Sequence, residues 1–182
     1  MGQCKQLLPL GERTALACGI EALLVAGLDD IVVVVGPHGA AVAEEARRYP
    51  VRVTLNPAAD SDMAASLRVG LAALAPATTH VVVALCDHPL VAPATVAALL
   101  EEQRAHPAAV IIPTCVGRKG HPVLLPRRLL EELRHRPTLR DLLQSHAAAV
   151  RTIEVTDEAV VLDMDTPEDY ARLLQRSFER AG

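Results

Sequence analysis

Two stretches of this chain contain no polar residue at all, and they constrain the fold more than any other feature. Ile31-Val-Val-Val-Val35 is β-branched throughout and ends at Gly36, and Val81-Val-Val-Ala-Leu85 repeats the theme. A strand with one face in water alternates apolar and polar side chains. A strand apolar at every position is covered on both faces, as in a parallel sheet between helices. Val51–Leu55 and Val110–Ile112 are shorter strand candidates.

Helical segments separate these strands. Thr14 is placed to cap a helix over Ala15–Ala26, which Gly27 terminates. Ala40–Arg48, Met63–Leu74 and Val96–Arg104 follow, the last entered through Pro93. Strand–helix alternation predicts an α/β fold: Rossmann-like, doubly wound, with a mostly parallel sheet. After Pro113 the rhythm changes. Residues Val116–Pro122 read as a cationic loop leading into a short strand, Val123–Leu125. Two short helices are expected at Arg127–Arg134 and Thr138–Gln144, then extended segments at Arg151–Val155 and Val160–Leu162, and a last helix from Pro167 to Arg180. No linker, repeat or low-complexity tract divides the chain, so residues 1–182 are read as one domain.

Composition excludes several functions. The chain has 182 residues, of which 51% are hydrophobic and 22% charged, a globular balance. Its three aromatics (Tyr49, Tyr170 and Phe178) cannot build a base-stacking surface, and a net charge of −4 offers no broad basic footprint for nucleic acid. No apolar run reaches the ~18–20 residues that span a bilayer. The four cysteines are widely spaced, without a C-x-x-C pair. A cytoplasmic protein without membrane partners is the expectation.

Ligands of open α/β sheets bind beyond the C-terminal ends of the strands. That rule selects Gly36-Pro-His38, Asn56-Pro57 and Cys86-Asp-His-Pro89. Asp87 directly follows an apolar strand and suits a Mg²⁺ ligand, while Asp and Pro equally suit a plain turn. In Asp163-Met-Asp-Thr-Pro-Glu-Asp169, Thr166, Pro167, Glu168 and Asp169 have helix-capping explanations. Asp163 and Asp165 do not, and alternate as if on one side of an extended segment, where a second metal carboxylate fits. Gly117-Arg-Lys-Gly-His-Pro122 gathers three cations or protonatable groups, either as a solvated turn or as an anion site. Cys86 and His88 flank Asp87, yet lack the further pair a soft-metal site needs. H-E-x-x-H, G-x-S-x-G and a complete G-x-x-x-x-G-K-[ST] loop are all absent.

In order, Met1-Gly-x-x-Lys-x-Leu-Leu-Pro-Leu10, Asn56-Pro57, Asp62-Met-x-x-Ser-Leu-x-x-Gly-Leu71, Asp87-x-Pro89, Gly117-Arg-x-Gly-His-Pro-Val123 and Asp163-x-Asp-Thr-Pro-Glu-Asp169 resemble the MobA-like nucleotidyltransferase family. The molybdenum cofactor cytidylyltransferase (MocA-like) branch is the most similar. The resemblance implies Mg²⁺-dependent transfer of CMP from CTP to molybdopterin or its metal-loaded form, with release of pyrophosphate. It implies that Lys5 neutralises nucleotide phosphates, that Asp87 and Asp165 hold Mg²⁺, and that Ser66 lies near base and ribose with Asn56 among the binding residues. Arg118, Lys119 and His121 would face the acceptor. A molybdoenzyme or its chaperone is an implied partner. Guanylyl or other nucleotidyl transfer, and a non-catalytic cofactor-binding role, are the alternatives.

Three departures from the family pattern matter. Family members begin with a strand and a Leu-Ala-Ala-Gly-x-Ser-x-Arg loop before the Met-Gly pair. This sequence starts at Met1-Gly2, so a truncated N-terminus is expected. The strand would lie between those at 31–35 and 81–85, and the loop would bind the triphosphate and help separate CTP users from GTP users. Lys5 is then expected on an untethered segment, with little transferase activity in the 182-residue form. Asp62 replaces the usual Gly, adding an anion near the base site, and Cys86 replaces the usual Gly before Asp87.

Overall fold

The computed structural model describes residues 4–58 and 62–179. A short 3-10 helix, Lys5–Leu7, opens the chain, followed by a small antiparallel ribbon of β1 (Pro9–Leu10) and β2 (Arg13–Thr14). Then come α1 (Ala15–Val25), β3 (Val32–Val35), α2 (Ala40–Ala46), β4 (Arg52–Leu55), α3 (Met63–Ala73), β5 (His80–Val83) and α4 (Pro93–Ala105). The second half holds β6 (Val110–Cys115), β7 (Arg118–Lys119), β8 (Val123–Pro126), α5 (Arg127–Glu131), α6 (Leu139–Ser145), β9 (Val150–Glu154) and α7 (Pro167–Glu179). The expected α/β class holds.

Helix starts follow the capping chemistry. The Thr14 hydroxyl accepts the Ala17 N–H at 3.1 Å, and Gly27, at φ +89°, turns the chain after α1. Asp62 caps α3 by accepting the Ala65 N–H at 2.7 Å. The added anion of Asp62 thus has a structural role at the start of α3. Pro93 occupies the first turn of α4, and a distant carboxylate caps that helix: Asp157 accepts from Ala92 N–H at 2.7 Å and Thr95 Oγ at 2.9 Å.

The sheet is mixed, and it is divided. β3 pairs with β4 in parallel, Val32 opposite Arg52 through Val35 opposite Leu55. β5 pairs antiparallel with β8, which continues to β6; β6 also carries β7 in antiparallel and β9 in parallel. No described strand bridges β3 and β5. A cleft of about 680 Å³ lies between them, with α1 on one side and α3 on another. The two apolar runs are therefore less enclosed than their composition predicts: Val32, Val34, Val81 and Val82 are only half-buried.

The core falls into layers around this division. Leu16 and Ile20 of α1 pack on Val33 and Val35. Leu129, Leu130 and Leu142 pack on Val83, Val110, Val123 and Leu125. A third cluster joins Leu8 and Leu10 to Leu90, Val91, Met164 and Leu173, binding the two ends of the chain together.

Several boundaries and elements differ from the sequence reading. Of segment 160–162, expected as extended, Val160 and Val161 belong to a 3-10 helix at Glu158–Val161 begun by Asp157, which accepts the Ala159 N–H, and only Leu162 is extended. The cationic segment 116–122 is partly a hairpin, β6–β7, whose turn places Val116 at φ 51°. That turn is held by Glu154, whose carboxylate accepts from the Val116 N–H at 2.8 Å and the Thr114 hydroxyl at 2.6 Å. Short hairpins of this kind carry no long hydrophobic signature. Helix α4 begins three residues earlier than expected because Pro93 itself supplies its first turn. Residues 180–182, at the end of the expected last helix, lie outside the described residues.

Candidate active site

Lys5 is the centre of the site. Its ammonium donates to Asp165 Oδ1 at 2.8 Å and stands 3.6 Å from Asp87 Oδ2. The two acidic motifs, far apart in sequence, converge on one cation. Asp87 sits in the turn that follows β5. Asp165 sits between the buried Met164 and the cap of α7, where Thr166 accepts the Asp169 N–H and Asp169 accepts the Thr166 N–H. Asp163 and Asp165 are both exposed around Met164, as alternation predicts, and of these two Asp165 makes the contact with Lys5.

Burial opposes the Lys5 charge, but the hydrogen bond to Asp165 and the fields of Asp87 and Asp165 outweigh it and hold the ammonium above its ordinary range. The segment carrying Lys5 is anchored, contrary to the expectation of a loose end. Leu8 and Leu10 are buried, Ala15 N–H bonds to Leu8 O at 2.9 Å, and Tyr170 Oη donates to Pro9 O at 2.7 Å.

Beside the cluster lie two imidazoles, His88 and His121, with ring centroids 5.2 Å apart. His88 Nδ1 lies 3.3 Å from Ala159 O, and its Nε2 stands 3.9 Å from Asp87 Oδ1. His121 precedes a cis peptide to Pro122. Burial, then the neighbouring His88, push its pKa down, against a smaller pull from Asp87. Two buried side-chain atoms here have no hydrogen-bond partner: Asp87 Oδ1 and His121 Nδ1. His88 was legible only as a neighbour of Asp87; its pairing with His121 comes from the fold.

Asn56 and Ser66 form a second polar pair, with Ser66 lining the cleft between β3 and β5. Asn56 is 3% exposed, donates from Nδ2 to Ser66 Oγ at 3.1 Å and accepts the Ala58 N–H at 3.2 Å. Its backbone N–H bonds to Val35 O at 2.8 Å, continuing the β3–β4 register into the turn. Arg118 and Lys119 lie exposed on the β7 hairpin, which Gly120 presses against the Glu158–Val161 helix. Cys86 lines the cleft between β3 and β5: water reaches it, yet protein surrounds it, and burial followed by the charge of Asp87 raises its thiol pKa.

A cation held by two carboxylates, one of them just beyond β5, is an arrangement suited to polyphosphates. Residues 1–147 match the model of the MobA-like NTP transferase domain. The chain belongs to the MobA-like NTP transferase family. It is accordingly a nucleotidyltransferase. Among its MobA-like relatives, the molybdenum cofactor cytidylyltransferase of Escherichia coli K12 is 27% identical over 183 residues, covering 98% of this chain and 91% of that one. Nicotine blue oxidoreductase of Paenarthrobacter nicotinovorans is 32% identical over 186 residues, covering 93% of this chain and 87% of that protein. The crystal structure of Rv0371c from Mycobacterium tuberculosis H37Rv superposes with a TM-score of 0.81 at 33% identity, covering 96% and 91% of the two chains. A manganese complex of Rv0371c aligns at a TM-score of 0.78 and 32% identity, covering 94% and 91%. Among the described residues, no helix is long and apolar enough to cross a membrane.

Proposed function

We propose that this protein transfers the cytidylyl group of CTP to the terminal phosphate of a molybdopterin-type acceptor. The observation that carries the reading is the convergence of Asp87 and Asp165 on Lys5, with Asp87 Oδ1 buried, without a hydrogen bond and 3.9 Å from His88 Nε2. A phosphate oxygen of the acceptor attacks the α-phosphorus of CTP, a new P–O bond forms, the α–β bridging bond breaks, and pyrophosphate leaves. The attacking oxygen is already anionic, so no general base is required. The chain's contribution is positioning and charge compensation, which dominate phosphoryl-transfer catalysis. Lys5 offsets charge on the triphosphate, and Asn56 and Ser66 orient base and ribose. Arg118, Lys119 and His121 meet the acceptor.

The donor set also fits a hard divalent cation. A buried carboxylate oxygen without a hydrogen bond is costly, and oxygen ligands suit Mg²⁺ or Mn²⁺. Asp87 and Asp165 would hold that ion, which supplies neutralisation of the phosphate oxygens. The manganese complex of Rv0371c supports such a site in this fold.

The test is pyrophosphate release with molybdopterin as acceptor, using CTP and GTP in parallel, with Mg²⁺ and with chelator. CTP preference that disappears with chelator is the expected result. A GTP preference assigns the guanylyl branch instead, and no release with either nucleotide leaves the non-catalytic, cofactor-binding role as the reading. An interaction with a molybdoenzyme or its chaperone is part of the same proposal, read by co-purification with the acceptor enzyme.

A further inference from the structure

Asp157 is a half-buried carboxylate with bonds in two directions. Its Oδ2 accepts from the Ala92 N–H at 2.7 Å and the Thr95 hydroxyl at 2.9 Å, at the start of α4. Its Oδ1 accepts from the Ala159 N–H at 3.3 Å, in the Glu158–Val161 helix. Capping α4 does not by itself need such an arrangement. Thr14, Asp62 and Thr138 cap their own helices from the N-cap position. At α4 that position is Ala92, which has no capping side chain, and the carboxylate comes from 65 residues downstream. One end of the link lies shortly after Asp87 in the chain, and the other shortly before Asp165.

Two more contacts run from the same turn toward the site. Ala159 O lies 3.3 Å from His88 Nδ1, and Val160 O accepts the His121 N–H at 2.8 Å. Beyond the turn, the chain passes through buried Met164, packed in one cluster with Leu8, Leu90 and Val91, to Asp165 and its bond with Lys5. Apolar packing of that kind is non-directional and fixes closeness, whereas hydrogen bonds fix the offset of one segment against another. We infer that Asp157 is a positioning residue, which sets Asp87 against Asp165 by tying the loop after β5 to the turn before α7. The inference rests on the nucleotidyl-transfer reading of the Lys5 site, where the spacing of the two carboxylates decides whether one cation meets both.

Asp157→Asn is the informative change. An amide keeps one acceptor oxygen, so it serves either α4 or the turn, and its NH₂ group then faces an N–H donor on the other side. Two readouts involve no turnover. Binding of Mn²⁺ alone is followed by electron paramagnetic resonance of the free ion. Carbodiimide cross-linking of the metal-free chain, mapped by mass spectrometry, reports whether the Lys5 amine reaches Asp87, Asp165 or both. The parent should form both amides. In folded Asp157→Asn, the Lys5–Asp87 amide should fall by roughly tenfold against Lys5–Asp165, because the Tyr170–Pro9 bond keeps the Lys5 segment with α7. Mn²⁺ affinity should fall by roughly 10–100-fold, as when other groups that orient a metal ligand are removed. Thr95→Val removes a donor on the α4 side only and should move both readouts the same way; it decides the matter if Asp157→Asn does not fold. A parent that binds no Mn²⁺, or binds it equally well with Asp87→Asn, defeats the metal reading of the site, and the cross-link ratio then judges Asp157 alone. An unchanged ratio in the folded variant overturns the inference, and so does unchanged Mn²⁺ affinity where the parent's affinity depends on Asp87.

Discussion

Replacing Gly120 by Ala should damage stability and catalysis through one contact. A Cβ at this position would stand 2.1 Å from Val160 O and 2.6 Å from Val160 C, both backbone atoms. The neighbour has to retreat by about 1 Å, and it cannot do so by rotating a side chain. The hydrogen bond from His121 N–H to Val160 O, 2.8 Å long, spans the same contact and is lost or stretched. Overpacking costs ~1–3 kcal/mol. The lost hydrogen bond adds ~0.5–1.5 kcal/mol. Together, about 1.5–4.5 kcal/mol corresponds to a fall in Tm of roughly 3–18 °C for a chain of this size. The Glu158–Val161 helix leads through Met164 to Asp165, so the displacement reaches the carboxylate paired with Lys5. A misplacement near 1 Å at a reacting centre can cost on the order of 10²-fold in rate. The assay is a thermal melt paired with pyrophosphate release. Gly117→Ala is the control, because Gly117 has φ +73° but open space around it, so only backbone strain of about 1–2 kcal/mol is expected. A Gly120→Ala protein that melts and turns over like the parent refutes the packing argument.

Other expectations concern protonation and wall residues. Because the Lys5 pKa is raised, its contribution to stability is complete below the unfolded value of 10.5 and is lost as pH rises through the folded value; melts from pH 8 to 11 should fall more steeply for the parent than for Lys5→Met. Lys5→Met should also reduce turnover by roughly 10²-fold or more, measured with saturating nucleotide. The lowered pKa of half-buried His121 acts in the other sense: the folded state binds its proton less readily, so stability declines as pH falls below 6.5 toward the folded value, and His121→Gln should flatten that decline in acid melts. Asn56→Ala removes the bonds to Ser66 and Ala58 and should cost about 1–3 kcal/mol in denaturant unfolding, with nucleotide binding weakened by calorimetry.

Local chemistry made much of this protein legible. The valine runs declared their strands because β-branching and uninterrupted apolarity have few other uses, and Thr14, Pro93 and Thr166 marked helix starts by capping. The rule for strand ends and the ordered motifs point to Asp87 and Asp165 as partners; their meeting on Lys5 depends on docking of the amino-terminal segment, which the sequence reading leaves untethered. What stayed hidden depends on contacts between distant segments. Asp157 caps α4 from far along the chain, Glu154 secures the β6–β7 turn, and His88 meets His121 only through folding. Segment 160–162 misled because Val-Val-Leu reads as strand by composition, while the Asp157 side chain closes a helical turn over Glu158–Val161. The half-exposure of the valine runs was equally invisible, since periodicity reports which faces a strand offers and not whether both edges are paired.

The Lys5–Asp165 contact closes a loop of 160 residues in sequence separation. At a synthesis rate of roughly 5–20 residues per second, about 8–32 seconds separate the appearance of the two partners. During that interval Lys5 can meet Asp87 but not Asp165, and Pro9 has no Tyr170 to bond. On the proposed reading of the site, nucleotide capture would wait for α7: a nascent polypeptide that has not yet reached Asp165 and Tyr170 lacks one carboxylate beside Lys5 and the brace on Pro9.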